Sequence, residues 1–421
     1  MRPLSEVRGL VLERCRPRSA REVELRLAQG CVLAEDVVAD ADLPGFASSG
    51  MDGFAVRAAD VASATEDLPV VLEVIDTVSA GRASERVVGG RQAIRIMTGA
   101  PVPKGADAIV PVEVTRHSSG ARGDGETVAV LAPSSAGLHV RSAGDDVVAG
   151  TTVMRAGTVL TPPLVGVLAS VGRATACVHP RPRVGVISTG DELVEPVRGL
   201  EVGQIRDSNR PMLLAAVAAA GATSVDLGWV RDDVDAVAAA LRSAATRCDL
   251  ILTSGGVSMG EADVVKLVLG RMADPLWVQV AIKPAKPFAL ATVEGVPLLG
   301  LPGNPVSSLV SFELLARPAL RRLGGHATLD RVRLEVRAGT ALGRRADGKD
   351  HYVRVTFDRA ADGALVVVPV AAQGSHQLVA TAAAQGLAVV PDGAGVAEGG
   401  AVEVIVLDPV AALGARGPGA P

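Results

Sequence analysis

One glycine-rich segment, Ile251 to Asp263, has the residue types best suited to chemistry. A short apolar run leads there into a loop of glycine, serine and threonine that ends in Glu261 and Asp263. Glycine lets a ligand approach the main chain, and successive N–H groups before a helix form a concavity that binds anions. The acidic residues would repel a phosphate unless a cation lay between them. The segment therefore predicts a phosphorylated ligand with a divalent metal, and the alternative is an ordinary strand-to-helix turn.

Two further loops add charge of both signs. Asp191 and Glu192 directly follow the apolar run Arg183–Thr189, and paired carboxylates suit a hard cation such as Mg²⁺, which often bridges to substrate phosphate. Acidic residues are also common at the start of helices, so that alternative stays open. Lys283 and Lys286, each next to a proline, offer positive charge to an anion.

Three loops in the first third of the chain have polar groups set among glycine and proline. Asp52 lies between glycines and could bind a metal or substrate, although an Asx turn is the simpler interpretation. Thr98 could donate a hydrogen bond to a ligand or cap a hairpin. Arg141 precedes Asp145 and Asp146, and such a group on a surface contributes little to stability.

None of the four cysteines lies in a setting that would activate it as a nucleophile. The sequence therefore favours electrostatic, metal-assisted chemistry over covalent catalysis.

Composition excludes several classes of protein. A chain of 421 residues predicts two or more domains. The net charge of −4 and an aromatic content of 2% argue against nucleic-acid binding. The four cysteines are scattered, which disfavours a disulfide framework or structural zinc. The N-terminus lacks the apolar core of a signal peptide, and no apolar run reaches membrane-spanning length, so we expect a cytoplasmic protein.

Hydrophobic patterning divides the chain into regions. Ser19 and Glu22 form a capping-box pattern, which with Gly30 as a stop predicts a helix. Residues 46–140 and 328–408 have the alternation and turns of β structure. Residues 180–325 alternate strand and helix, which predicts a parallel, doubly wound sheet. Ligands bind at the carboxyl ends of the strands in such sheets, where the acidic and glycine-rich loops lie.

A series of motifs spans nearly the whole chain in a fixed order: Ser49–Ala55, Met97–Pro103, Ser188–Leu193, Asp207–Asn209, Thr253–Ser258, Gly260–Asp263, Leu301–Pro305, Tyr352–Arg354 and Gly374–Ser375. In content and order they resemble the molybdopterin molybdenumtransferase family, which includes the MoeA proteins and the E domain of gephyrin. Nine matching segments are far more specific than any one of them.

The resemblance implies a multidomain α/β plus β fold. Its parts would be an N-terminal α+β domain that forms the dimer (1–45 and 143–178), an inserted β-rich lobe (46–142), a doubly wound α/β domain of the MoaB/Mog type that binds molybdopterin (179–326), a C-terminal β-barrel (327–410) and a disordered tail (411–421). It also implies a homodimer whose active cleft lies between the α/β domain of one subunit and the inserted lobe of the other.

The activity that the resemblance implies is Mg²⁺-dependent insertion of molybdate into adenylylated molybdopterin, with release of AMP. An adenylyltransferase would supply the substrate. The catalytic residues carried over are Asp52, Thr98, Asp146, Glu192, Asp232 and Asp263. The substrate-binding residues are Ser254, Gly255, Gly256, Ser258, Lys283, Lys286, Pro302, Asn304, Pro305, Ser375 and Arg354. The metal ligands are Asp191, Glu192 and Asp263.

Three positions depart from the family pattern. Gln279 replaces a lysine and Ala285 a glycine found in many relatives, and Arg206 lies where an aromatic residue is common. A tungstate-preferring insertase and a non-catalytic pterin-binding scaffold are the alternatives. An adenylyltransferase is disfavoured, because that task needs only a single small α/β unit.

Overall fold

The computed structural model describes residues 1–118, 125–195, 197–256, 264–272 and 274–414. The chain forms two compact units. The first comprises Met1–Val23, Ala28–Ala34 and Cys177–Pro421, and the second comprises Glu24–Leu27 and Glu35–Ala176. Within the described ranges, every helix is too short or too polar to span a membrane.

The N-terminal segment begins with a helix that the capping pattern did not predict. Its elements are α1 (Leu4–Glu13), β1 (Arg21–Glu24), α2 (Leu25–Ala28) and β2 (Val32–Leu33). Val7 and Val11 lie one helical turn apart and are both buried, which explains why α1 forms. The helix predicted between Ser19 and Gly30 forms only over Leu25–Ala28, because Arg21–Glu24 is extended and takes its hydrogen bonds from a sheet.

The second unit is rich in β structure, as predicted. Its elements are β3 (Val37–Val38), β4 (Ser48–Ser49), β5 (Gly53–Val56), α3 (Ala58–Val61), β6 (Val70–Val78), β7 (Gln92–Ile96), β8 (Ala108–Pro111), β9 (Thr115–Ser118), β10 (Thr127–Val130), β11 (Val140–Arg141), β12 (Thr152–Met154) and α4 (Pro162–Ser170). Six strands form one sheet in the order β8-β5-β7-β6-β10-β9. Phe54 and Ala55 alternate between two buried clusters, so that apolar side chains cover both faces of the sheet.

The next region of the first unit contains the mixed α/β sheet. Its elements are β13 (Thr175–His179), β14 (Arg183–Thr189), β15 (Leu193–Val194), β16 (Ile205–Arg206), α5 (Asn209–Ala219), β17 (Thr223–Val230), α6 (Val234–Ala245), β18 (Leu250–Ser254), α7 (Val264–Met272), β19 (Leu276–Gln279), β20 (Ile282–Lys283), β21 (Pro287–Val293), β22 (Val296–Leu301), α8 (Pro305–Ser311) and α9 (Arg317–Leu323). A π-helical turn, Phe312–Ala316, joins α8 to α9. Strand β13 lies between β1 and β2 in a three-stranded sheet.

The sheet of this region has helices on both faces. Its order is β17-β14-β18-β22-β21-β19. Leu213 of α5 and Val310 of α8 pack in one buried cluster, while Leu241 of α6 and Val268 of α7 pack in another. This arrangement confirms the doubly wound α/β fold.

One edge of the sheet differs from the all-parallel expectation. Strands β17, β14, β18 and β22 pair in parallel, whereas β21 runs opposite to both of its neighbours and pairs antiparallel with β22 and with β19. The reversal occurs at Glu294 and Gly295, which have φ values of 47° and 82°. Positive φ at both central residues is typical of a two-residue hairpin turn. Strands β19 and β20 follow each other in the chain but lie in different sheets, because β20 leaves this sheet and pairs with β25 of the next region.

The C-terminal region is a closed barrel. Its elements are β23 (Arg333–Ala338), β24 (Leu342–Gly343), β25 (Asp350–Arg359), β26 (Leu365–Pro369), α10 (Leu378–Ala382), β27 (Gly386–Val390), β28 (Gly395–Val396), β29 (Ala401–Val406) and α11 (Pro409–Leu413). The strand order β25-β26-β23-β29-β27 closes on itself because β27 also pairs with β25. The predicted C-terminal β-barrel is therefore confirmed.

The predicted start of the disordered tail, residue 411, is too early. Helix α11 runs to Leu413, because Asp408 caps it by accepting hydrogen bonds from the N–H groups of Val410 and Ala411. Residues 415–421 of that predicted tail lie outside the described residues.

Candidate functional site

Three strands end at the same edge of the α/β sheet, and their loops meet there. The N–H group of Gly255, after β18, donates to the carbonyl of Leu301 at the end of β22, at 3.2 Å. A Cβ atom on Gly255 would lie 3.0 Å from the carbonyl oxygen of Thr189, at the end of β14. Gly255 and Gly256 have φ values of 91° and 73°, which favour glycine. The structure thus brings the predicted loops together in one crevice.

Asn209, at the start of α5, ties two of these loops together. Its side-chain Nδ2 donates to Ser254 Oγ at 2.8 Å and to the carbonyl of Gly303 at 2.7 Å. The residue is buried, and its Oδ1 has no hydrogen-bond partner in the described parts of the chain. Sequence reasoning placed Asn209 in a motif but gave it no role, because its two partners lie 45 and 94 residues away.

The loop between β22 and α8 contains Pro302, Asn304 and Pro305, all predicted to bind substrate. Asn304 occupies the N-cap position of α8, but its side chain makes no capping hydrogen bond. The helix start instead receives the barrel loop, because the N–H group of Val306 donates to the carbonyl of Ser375 at 3.1 Å. This bond places the predicted residue Ser375 beside the start of α8.

The acidic loop after β14 approaches the loop after β17. The N–H group of Asp232 donates to Asp191 Oδ1 at 3.3 Å. Trp229 Nε1 donates to the carbonyl of Gly190 at 2.7 Å. Gly190 has φ 147°, and a Cβ atom there would collide with the carboxylate of Glu192. The backbone conformation at Gly190 favours glycine, and the carboxylate of Glu192 folds back over this turn.

Carboxylate oxygens of this kind fit Mg²⁺. Asp191, Glu192 and Asp232 do not bring their carboxylates within 4.8 Å of one another, judged on the described residues. Mg²⁺ is usually held by one or two carboxylates together with substrate phosphates, so a smaller protein ligand set is sufficient. Ser258, Glu261 and Asp263, which the sequence places in the same site, lie outside the described residues.

A second part of the site is a cleft of about 940 Å³ between the β20 segment, α8 and the barrel. Among the residues that the structure describes, a single carboxylate, Asp347, lines it against six lysines and arginines: Lys283, Lys286, Arg344, Arg345, Lys349 and Arg354. Ser307, His351 and Ser375 also face it. Four predicted substrate-binding residues, Lys283, Lys286, Arg354 and Ser375, are therefore brought together here. Of the departures, Ala285 lines this cleft, whereas Gln279 is absent from its lining.

Asp347 neutralises one side of the cleft. It accepts hydrogen bonds from Lys349 Nζ and Arg344 Nη2, both at 2.8 Å, and lies 3.3 Å from His351 Nε2. The hydrogen bond from Lys349 is the main reason that the pKa of Asp347 falls to about 2. Lys283, Lys286 and Arg354, by contrast, form no ion pair with any carboxylate in the described ranges.

Arg354 is the least expected feature of the cleft. This residue of β25 is 1% exposed, and its Nη2 donates to the carbonyls of Ala372 and Gly374, both at 3.2 Å. Its Nε is buried without a hydrogen-bond partner among the described residues. Burial lowers the pKa of the guanidinium. A buried charge without a counter-ion is costly, so the site is well suited to receive an anion.

Asp52 and Thr98, predicted as catalytic residues, are in contact in the second unit. Asp52 Oδ1 accepts hydrogen bonds from the N–H group and from Oγ1 of Thr98, both at 2.7 Å. Both bonds lower the pKa of Asp52, and the bond from the backbone N–H group has the larger effect. Asp146 lies in an exposed turn after β11 and makes no ion pair with Arg141.

Models of known protein families match three successive regions of the chain. Three family models match in order: the MoeA N-terminal region (domain I and II) over residues 2–172, a probable molybdopterin binding domain over residues 185–322, and the MoeA C-terminal region (domain IV) over residues 337–407.

Relatives match over nearly the whole chain. Molybdopterin molybdenumtransferase 2 of Mycobacterium tuberculosis (strain ATCC 25618 / H37Rv) is 43% identical over 399 residues, which are 93% of this chain and 96% of that protein. Molybdopterin molybdenumtransferase of Bacillus subtilis (strain 168) is 35% identical over 381 residues, 89% of this chain and 87% of that protein. The crystal structure of a molybdopterin biosynthesis MoeA protein from Pyrococcus horikosii has a TM-score of 0.76 at 30% identity, and covers 96% of this chain and 99% of its own. The chain therefore belongs to the molybdopterin molybdenumtransferase family, the transferases of molybdenum cofactor biosynthesis.

Proposed function

We propose that this chain inserts molybdenum from molybdate into adenylylated molybdopterin and releases AMP, in a Mg²⁺-dependent reaction. The single observation that most supports this reaction is the buried Arg354, which has no carboxylate partner in the described residues and faces a cleft lined with lysine and arginine. Molybdate is a small dianion, so it would supply the counter-charge that Arg354 lacks.

The proposed molybdate site consists of Lys283, Lys286, Arg354 and Ser375. The two lysines come from the β20 segment and its following loop, and the other two come from the barrel. Three positive charges offset the two negative charges of the ligand, and Ser375 Oγ can donate or accept a hydrogen bond. In a partly desolvated cleft, charge-assisted hydrogen bonds are stronger than neutral ones.

The proposed pterin phosphate site is the crevice at the end of the α/β sheet. Ser254, Gly255 and Gly256 present main-chain and hydroxyl groups there, and Asn209 fixes them against the loop that contains Pro302 and Pro305. Backbone N–H groups in such a loop suit a phosphate. The prolines fix the loop in advance, so that little conformational entropy is lost on binding.

Asp191 and Glu192 would hold Mg²⁺ beside this crevice, with Asp263 as the third predicted ligand. A bound Mg²⁺ would offset the negative charge that develops when the phosphoanhydride breaks and AMP leaves. Asp232 stays close to Asp191 through its N–H group and would orient that carboxylate.

We further propose that the chain works as a cytoplasmic homodimer supplied by an adenylyltransferase. Asp52 and Thr98 form a hydrogen-bonded pair that remains exposed in the single chain. Because this pair is exposed, it supports a role in which the pair and residues of a second subunit together form the complete site. A stable, fully active monomer at micromolar concentration in sedimentation would contradict the shared site.

The decisive experiment mixes the purified protein with adenylylated molybdopterin, Mg²⁺ and molybdate and follows AMP release. We expect release that requires both molybdate and Mg²⁺ and that is lost in Arg354→Ala. Tungstate in place of molybdate then tests metal preference. Absence of AMP release while the pterin remains bound would overturn the insertase and favour the scaffold alternative.

A further inference from the structure

Both polar atoms of the Gln373 side-chain amide form hydrogen bonds with main-chain groups around Arg354. Its Oε1 accepts a hydrogen bond from the N–H group of Arg354 at 3.0 Å. Its Nε2 donates to the carbonyl of Arg354 at 2.8 Å and to the carbonyl of Val370 at 3.2 Å. Gln373 itself is an exposed residue that lines the cleft. Its three hydrogen bonds therefore fix local geometry while burying little apolar surface.

These bonds lie where the ladder between β25 and β26 stops. Strand β26 ends at Pro369, and Val370 makes the last backbone bond across, to the carbonyl of Arg354 at 3.0 Å. The amide of Gln373 continues the pairing beyond that point, in the place of a further strand residue. The chain can then turn away from the barrel while its loop stays attached to β25.

The attached loop forms the environment of the Arg354 side chain. The carbonyls of Ala372 and Gly374, on either side of Gln373, accept both hydrogen bonds from Arg354 Nη2. Gln377 Oε1 accepts from the N–H group of Gly374 at 2.6 Å, which braces the loop from its other end. Ser375 follows directly, and its carbonyl is bonded to α8. One residue, Gln373, thus connects the main chain of Arg354 to the loop that holds the guanidinium.

We propose that Gln373 is a positioning residue that sets Arg354 and Ser375 in the geometry needed to bind a tetrahedral oxyanion. This inference rests on the proposed function, because it names the residue that prepares the molybdate site. Without Gln373 the carbonyls of Ala372 and Gly374 would move away from Nη2, and Ser375 would move with them.

The test measures binding of molybdate to the full-length protein by isothermal titration calorimetry. Gln373→Met keeps the length of the side chain and removes every hydrogen bond. The matched control is Gln385→Met, because Gln385 also braces β25, through Oε1 and the N–H group of Phe357 at 2.7 Å, but does not line the cleft. We expect Gln373→Met to raise the dissociation constant of molybdate about tenfold. We expect Gln385→Met to leave that constant unchanged, although it should lower the melting temperature at least as much as Gln373→Met does.

A second readout separates positioning from general damage. In the AMP-release assay, Gln373→Met is expected to raise the KM for molybdate about tenfold. Its kcat should equal that of the unaltered protein. If Gln373→Met fails to fold, Gln373→Asn replaces it, since its shorter amide cannot reach both main-chain groups of Arg354.

The outcomes distinguish this inference from the proposed function. Unchanged molybdate affinity in the folded Gln373 variant, with affinity lost in Arg354→Ala, would overturn the positioning role alone. An equal loss in Gln385→Met would also overturn it, because the effect would then be structural. Unchanged affinity in Arg354→Ala would overturn the molybdate site itself.

Discussion

The guanidinium of Arg354 is buried against the carbonyl of Gly374, 3.2 Å away, one residue before Ser375. Carbonyl oxygens orient a guanidinium but do not neutralise it. Arg354 therefore stays positive inside the cleft, where a buried charge lowers the stability of the free protein. The same charge becomes favourable once an anion binds.

This arrangement predicts that stability and function change in opposite directions at Arg354. Arg354→Met is expected to keep or raise the melting temperature, because it replaces an unpaired buried charge with an apolar group. Its molybdate affinity should fall by about a hundredfold, or roughly 2.7 kcal/mol. Calorimetric titration and thermal unfolding measure the two effects. The control is Arg337→Met, which removes an exposed pair with Asp362 on the neighbouring part of the barrel and should leave molybdate affinity unchanged.

Thr98 is expected to control the protonation of Asp52. The hydrogen bonds from Thr98 lower the pKa of Asp52 below its ordinary value, so their stabilising effect is present above the unfolded pKa and is lost as pH falls through the folded pKa. Thr98→Val removes the hydroxyl donor and retains the N–H donor. The pKa of Asp52 should therefore move up towards its ordinary value in a carboxyl NMR titration. An unchanged midpoint would show that the hydroxyl bond is absent in solution.

Asn209 is expected to couple to Ser254. Asn209→Ala leaves Ser254 Oγ and the carbonyl of Gly303 without their donor, and a lost buried partner costs about 1–3 kcal/mol. Urea unfolding of the single and double variants with Ser254→Ala gives the coupling energy, which we expect at about 0.5–1.5 kcal/mol. Strict additivity would contradict the contact. Pterin binding should weaken in Asn209→Ala, because the crevice loops lose their link.

The backbone at Ala285 predicts which substitutions the cleft tolerates. Ala285 is buried and has φ 81°, a conformation that favours glycine. Ala285→Gly should change the free energy of unfolding by less than about 1 kcal/mol, because relief of strain offsets the lost methyl group and the added chain entropy. Ala285→Val, which is β-branched, should destabilise by about 2 kcal/mol or more. Chemical unfolding measures both, and equal effects would show that the backbone is not left-handed there.

Local sequence signals predicted the elements whose hydrogen bonds and burial are regular. The apolar run Arg183–Thr189, in the region predicted to alternate strand and helix, is β14. The failures have physical reasons. Ser19 and Glu22 have the spacing of a capping box, but a sheet competes for the same backbone groups.

The hairpin of β21 and β22 and the strand β27 were not predicted, because continuous apolar runs lack the alternation that distinguishes a strand. The residues of the site divide in the same way, into those recognisable from local sequence and those that are not. Lysines among prolines and acids after strands could be recognised locally, whereas the burial of Arg354 could not. Its surroundings depend on two long-range pairings of β25, one with β27 that closes the barrel and one with β20, about 70 positions earlier in the chain.

Strand β20 has a consequence for how the cleft works. Lys283 pairs with His351 in a parallel ladder between β20 and β25, the strand that also contains Arg354. Both walls of the cleft are thus joined by main-chain hydrogen bonds, and a ligand can enter without a hinge motion of one wall against the other. Because the receptor is preorganised, little binding free energy is lost to closing it. More of that free energy is left to discriminate between oxyanions of equal charge by their size.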